Sequence, residues 1–193
     1  TSRKLIKNVD MSVETEEFDT LLANVDKRIE ALGGYIETSN VYNGSTYKAV
    51  GNLRTANITA RIPAERLNEF LSLVSEASNV ISKNESVTDV TLQYVDMQSH
   101  KDALQTEQQR LLELLEQAET IDDIITIESR LSDVRYQIES MESQLRTFDN
   151  QVSYSTVYLY IDEVKTYTQT EEQTRLQRMA GGFVNSLKGI GNG

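Results

Sequence analysis

The stretch Thr120–Phe148, TIDDIITIESRLSDVRYQIESMESQLRTF, places its apolar residues at Ile124, Ile127, Leu131, Val134, Ile138, Met141, Leu145 and Phe148. The steps alternate between three and four without a break. That is a heptad seam, narrower than the stripe of an ordinary surface helix. Thr120 stands in the capping position, and Asp122 and Asp123 fall in the first turn, where the helix dipole favours acids. Upstream, Val90, Tyr94, Met97, Lys101, Leu104, Gln108, Leu111, Leu115 and Ala118 keep the same alternation. The short connection AETIDD between the two seams forces antiparallel neighbours. The expected element is a helical hairpin, paired as a coiled coil, with arms over 88–118 and 121–149. Each arm reaches about 40 Å at about 1.5 Å per residue. Leu104, Leu111, Leu115, Ile124, Leu131, Val134 and Ile138 are expected to be buried between the arms.

Outward from this seam the periodicity changes. LIKNVDMSV alternates, with Val9, Met11 and Val13 on one side of a strand. Thr15 with Glu16 and Glu17 then starts a helix whose stripe is Phe18, Leu21, Leu22, Val25, Ile29 and Leu32. Gly33-Gly34 stops it. Asn43-Gly44 predicts a tight hairpin turn. The returning strand carries Ala56, Ile58, Ala60 and Ile62 and ends at Pro63, which opens a second helix with Leu67, Phe70, Leu71 and Val74. NVISKNES reads as a fourth strand, and QVSYSTVYLYIDEV as a fifth, with Val157, Leu159 and Ile161 on one side. The expected fold is α+β: a ferredoxin-like βαββαβ antiparallel sheet with both helices on one face. The long helical hairpin is inserted before the final strand. Residues 1–87 and 150–164 form the base, 88–149 the hairpin, and 165–193 a tail with Leu176, Met179, Phe183, Leu187 and Ile190 at helical spacing.

Thirty acidic against nineteen basic residues give a net charge of −11. That balance argues against nucleic acid and against a purely electrostatic hold on an anionic membrane surface. The arm is the acidic part: Tyr94–Phe148 holds twelve acids and five bases. A partner for it should be neutral or basic. Without cysteine, disulfides and thiolate metal sites are excluded.

Candidate chemistry is sparse. His100 is the single histidine, and no second histidine or cysteine can complete a common metal site with it. Asp122-Asp123 is explained by the helix start, and Gly33-Gly34 by the helix stop. Asn43, Asn57 and Asn84 begin glycosylation triplets, which matter only in a source that secretes through an endoplasmic reticulum. Lys101 and Gln108 interrupt the seam. Each fixes register at a cost in stability, or marks a docking point. No catalytic, cofactor-binding or metal-binding residue is expected. The candidate contact residues are Lys101, Gln108, Leu111 and Leu131.

RKLIKNVDMSVE, GGYIETSN, ARIPAERLNEFL, VTLQYVDM, the hairpin run RLLELLEQAETIDDIITIESRLSDVRYQIESMESQL and DNQVSYSTV follow one another in order. Over roughly Arg3–Asp162 the chain resembles the bacterial family catalogued as domain of unknown function forty-three forty-nine. Lys101 stands where that family usually has an apolar residue, and His100 where arginine is common. The resemblance implies an extracytoplasmic domain anchored to the cell membrane by a lipoprotein signal or a transmembrane helix. A membrane helix usually follows the segment similar to RLQRMAGGFVNSLKGI. Some relatives carry a zinc-finger anti-sigma module, and the family brings no established catalytic residues. The expected role is that of a non-enzymatic envelope protein whose arm binds a protein partner, or itself, by bundle formation rather than through the sheet. It would sense envelope state or serve an anti-sigma-type regulator. The alternatives are a small-ligand-binding surface lipoprotein domain and a hydrolase with a carboxylate site.

Overall fold

The structure, a computed structural model, describes residues 3–44 and 53–168. Five strands and four helices follow in the order β1 (Leu5–Thr15), α1 (Phe18–Ala31), β2 (Tyr35–Tyr42), β3 (Thr55–Pro63), α2 (Leu67–Ala77), β4 (Asn79–Asp89), α3 (Thr91–Gln117), α4 (Ile121–Ser153) and β5 (Tyr154–Glu163). The tail beyond Thr168 lies outside the described residues.

The alternation read from the sequence explains the core. Val9, Met11 and Val13 on β1 lie beside Val157, Leu159 and Ile161 on β5. Those in turn lie beside Ala60, Ile58 and Ala56 on β3. This apolar lattice packs under the stripes of α1 (Phe18, Leu21, Val25, Ile29) and α2 (Leu67, Phe70, Leu71, Val74) in one continuous cluster. Both helices therefore share one face. The opposite face shows Asp10, Asn57, Tyr158 and Tyr160 to solvent, as a sheet covered on one side only permits.

The sheet order is β2-β3-β5-β1-β4, which is not the ferredoxin-like order. β5 occupies the place between β1 and β3 where those two strands would pair. It runs antiparallel to β3 and parallel to β1, so the sheet is mixed. The reason lies at the root of the arm. The last turns of α4 sit beside the start of β1, where Lys4 Nζ meets Asp149 Oδ1 at 2.8 Å. The chain therefore enters β5 from the same end as β1 and runs the same way. The arm leaves the end of β4 and returns to that same end of the sheet, so β5 runs antiparallel to β4 and therefore parallel to β1.

Three local expectations also change. Thr15 is the buried last residue of β1, and its hydroxyl accepts from the Glu17 N–H at 3.0 Å, so α1 begins three residues later than Thr15. Pro63 closes β3 without opening α2. A turn with Arg66 N donating to the Pro63 carbonyl at 2.8 Å comes between. Tyr42 pairs with Thr55, so the β2–β3 connection is longer than a two-residue Asn43-Gly44 turn.

The end of α1 follows from its glycines. Gly33 adopts φ +76°, and the Gly33 and Gly34 amides donate to the Glu30 and Ile29 carbonyls at 2.9 Å each, a Schellman closure. Gly34 is needed for a different reason: a Cβ there would lie 2.5 Å from the Arg61 carbonyl oxygen.

Candidate functional site

The arm runs over Thr91–Ser153, against the expected 88–149. Residues 88 and 89 belong to β4, and α4 continues to the start of β5. Thr120 caps α4 as its spacing predicts, accepting from Asp123 N at 3.1 Å. Asp122 and Asp123 occupy the first turn. The helices are antiparallel neighbours. Near the base Tyr94 Oη donates to Asp149 Oδ2 at 3.2 Å, and halfway out Arg130 Nη2 meets Glu107 Oε1 at 2.6 Å. Ascent along α3 matches descent along α4.

Inside the arm, Leu104, Val134 and Ile138 form a buried cluster with Leu111 and Met141 packed against it. Leu131 and Leu145 are buried as well. Towards the tip the burial fades. Leu111, Leu115 and Ile124 are only half-buried, although all three were expected between the helices. Among the described residues the two helices have no third layer on them, so the flanks of the seam stay open wherever the side chains do not meet face to face. One such flank is a groove of about 580 Å³, walled by Leu112, Leu115, Leu131 and Tyr136 and edged by Glu128, Arg135 and Glu139.

Of the four candidate contact residues, Leu131 is enclosed within the arm at 4% exposure, and Leu111 packs against the central cluster. Both hold the arm together. Lys101 and Gln108 are half-buried on α3, and His100 is exposed. The sequence reading passed over the apolar tip. Leu114 is 52% exposed in the last turn of α3, and Ile121 and Ile125 are 75% and 59% exposed in the first two turns of α4. The signal was present: these residues are apolar but off the three-four seam, and so cannot be covered by the partner helix.

The root of the arm is tied to the base by a cluster that no local pattern announces. The Lys4 ammonium bonds Asp149 and lies 4.2 Å over the Tyr94 ring. The Asp149 hydrogen bond holds the Lys4 pKa above its ordinary value, with burial opposing. Lys4 N donates to Thr91 Oγ1, and Val90 N donates to the Lys4 carbonyl, both at 2.9 Å. Asp89 accepts from the Thr91 hydroxyl and amide, and these bonds pull its carboxyl below the usual range. The first turn of α3 is thus fixed to the first residues of β1.

Elsewhere the base has a groove of about 260 Å³ between α1 and α2, lined by Leu21, Val25, Phe70 and Val74. Among the described residues no group of three or more His, Asp or Glu side chains converges as a metal site. No helix among them is long and apolar enough to cross a membrane.

The geometry defines a class: a two-layer α+β domain, helices on one face of a mixed sheet, that holds out a tied, antiparallel helical hairpin. The family model described as Domain of unknown function (DUF4349) matches residues 3–193, and the chain belongs to that family. No curated protein and no solved structure matches it.

Proposed function

We propose that this is a non-enzymatic, extracytoplasmic domain of a membrane-anchored bacterial envelope protein. Its arm makes contact with a protein partner, in the service of envelope sensing or an anti-sigma-type regulator. The base then works as a ferredoxin-related platform, with β5 added to its sheet, and the arm pairs as a coiled coil. The single observation that carries the contact role is the apolar tip. Leu114, Ile121 and Ile125 stand exposed together at the far end of the arm, whereas its other exposed large apolar side chains, Leu92, Val95 and Tyr136, lie nearer the base or beside the groove. Lone exposed apolar residues are ordinary, but three at the far end of a projecting element form a contact patch. A docked helix would cover that patch and the adjoining groove at Leu112, Leu115 and Tyr136, adding a third layer.

Photocross-linking in the full-length protein in its native cell tests this. A cross-linking side chain at position 125 is expected to give one discrete protein adduct, and the same group at exposed Glu65 on the base none. Serine at Leu114 and Ile121 should abolish the adduct. No adduct at 125, or the same adducts from both positions, would overturn the contact role.

A further inference from the structure

Among the described residues β4 is an edge strand, with β1 on one side and no strand on the other. From Ile81 to Asp89 every residue is exposed. Edges of this length are usually blunted, most often by a lysine, because their free N–H and C=O groups pair with any other strand. β4 does carry a lysine, Lys83. Its setting alters what the charge does.

The register against β1 fixes the faces. Lys83, Glu85 and Val87 lie opposite Met11, Val9 and Lys7 on the helix-bearing side. Ser82, Asn84 and Ser86 lie opposite Ser12, Asp10 and Asn8 on the other. When the strand is turned end for end about Asn84, Lys83 falls opposite Glu85 and Glu85 opposite Lys83. Ile81, 40% exposed, falls opposite Val87, 52% exposed. Ser82 meets Ser86, and Asn84 meets itself. Charge meets opposite charge, aliphatic meets aliphatic, and small hydroxyl meets small hydroxyl, all at one register. Within one molecule Lys83 Nζ and Glu85 Oε2 stand 3.9 Å apart, a loose pair that leaves both charges available.

We infer that β4 is a self-complementary edge, and that two copies of the chain join through antiparallel β4–β4 pairing over Ile81–Val87 about a two-fold axis through Asn84. The occupant is a second copy because the mirror position of the lysine is an acid. A foreign edge meets an unmatched ammonium, and the same edge reversed meets its counter-charge twice. The other edge among the described strands, β2, does not offer this. Its register shifts between Ile36 and Thr38, inside the strand, and its acid Glu37 is drawn towards Arg61 at 3.6 Å. On β4 the corresponding shift leaves Ile81 without a partner on β1, so the irregularity falls at the outer end of the self-paired segment and the charged centre from Ser82 to Ser86 keeps an unbroken register. This contact goes beyond the arm and is independent of it.

Light scattering and sedimentation of the full chain over a concentration series test the inference. The wild type is expected to show a concentration-dependent dimer. Glu85→Lys and Lys83→Glu each set two pairs of like charges face to face and should weaken the dimer about tenfold. Mixing the two variants should restore it as a heterodimer, and the double variant Lys83→Glu/Glu85→Lys should match the wild type. Leu114→Ser/Ile121→Ser/Ile125→Ser, which removes the arm tip, should leave the dimer unchanged. Circular dichroism confirms that each exposed-strand variant is folded. A monomer at every attainable concentration overturns the inference. So does a dimer indifferent to the single charge reversals, or one lost with the tip residues.

Discussion

At the scale of single residues, Gly33 and Gly34 show how different two adjacent glycines are. Gly33 is required by its left-handed backbone, where a Cβ costs about 1 kcal/mol. Gly34 is required by space, since its Cβ position is 2.5 Å from the Arg61 carbonyl and 3.2 Å from that of Ile29. Backbone oxygen cannot swing aside as a side-chain tip can. Gly34→Ala is therefore expected to destabilise by about 2–3 kcal/mol, as overpacking does. Gly33→Ala should cost about 1 kcal/mol. Urea unfolding of the two variants measures the difference, and equal costs would show that β3 yields. The sequence revealed the helix stop at this pair. It could not reveal that β3 passes beneath Gly34.

At the scale of elements, the end of β5 is clasped to the start of β3. Glu163 accepts from Arg54 three times: from the backbone N–H at 2.9 Å, from Nε at 3.0 Å and from Nη2 at 2.8 Å. Arg54 also bonds Asp19 at 2.8 Å and lies over the Phe18 ring, so the first turn of α1 joins the clasp. The Arg54 hydrogen bonds hold the Glu163 carboxyl below its ordinary 4.5, against the effect of burial. A carboxyl with a lowered folded-state pKa adds stability that is complete above its unfolded value and is lost as pH falls through the folded one. The clasp therefore helps at neutral pH and fails on the acid side. Glu163→Gln should lower the urea midpoint at about pH 7, and by progressively less as pH falls below the ordinary carboxylate range. An equal loss at every pH would mean that the side chain acts by packing alone.

At the scale of the whole molecule, base and arm have separate cores. The base core joins α1, α2, β1, β3 and β5, and the arm core is the small cluster around Val134. They meet at the Lys4–Tyr94–Asp149 tie, which is polar and partly exposed. Replacing both Leu111 and Leu131 with serine removes apolar burial from the arm, where each such side chain is worth up to about 1.5–3 kcal/mol, and leaves the base core untouched. Hydrogen exchange should then show loss of protection over 91–153 with the amides of β1, β3 and β5 still protected. Joint unfolding of both parts would show that the parallel β1–β5 pair depends on the arm that delivers it.

Local pattern determined a great deal in this chain. The three-four spacing from Ile124 to Phe148 wrote the second arm of the hairpin, Thr120 wrote its cap, and the alternations at Val9–Val13, Ala56–Ile62 and Val157–Ile161 wrote the buried face of the sheet. These are properties of neighbours in sequence, and side-chain period alone carries them. Strand order is different. Alternation states which side of a strand is apolar and is silent on which strand lies beside it, so β5 was legible as a strand and illegible as the partner of both β1 and β3. The same holds for the root of the arm, where Lys4, Tyr94 and Asp149 come from three distant points, and for the tip, where exposure depends on what packs on the two described helices. Tertiary structure decided these features because each is set by contacts between segments far apart in the chain, which no window of sequence contains.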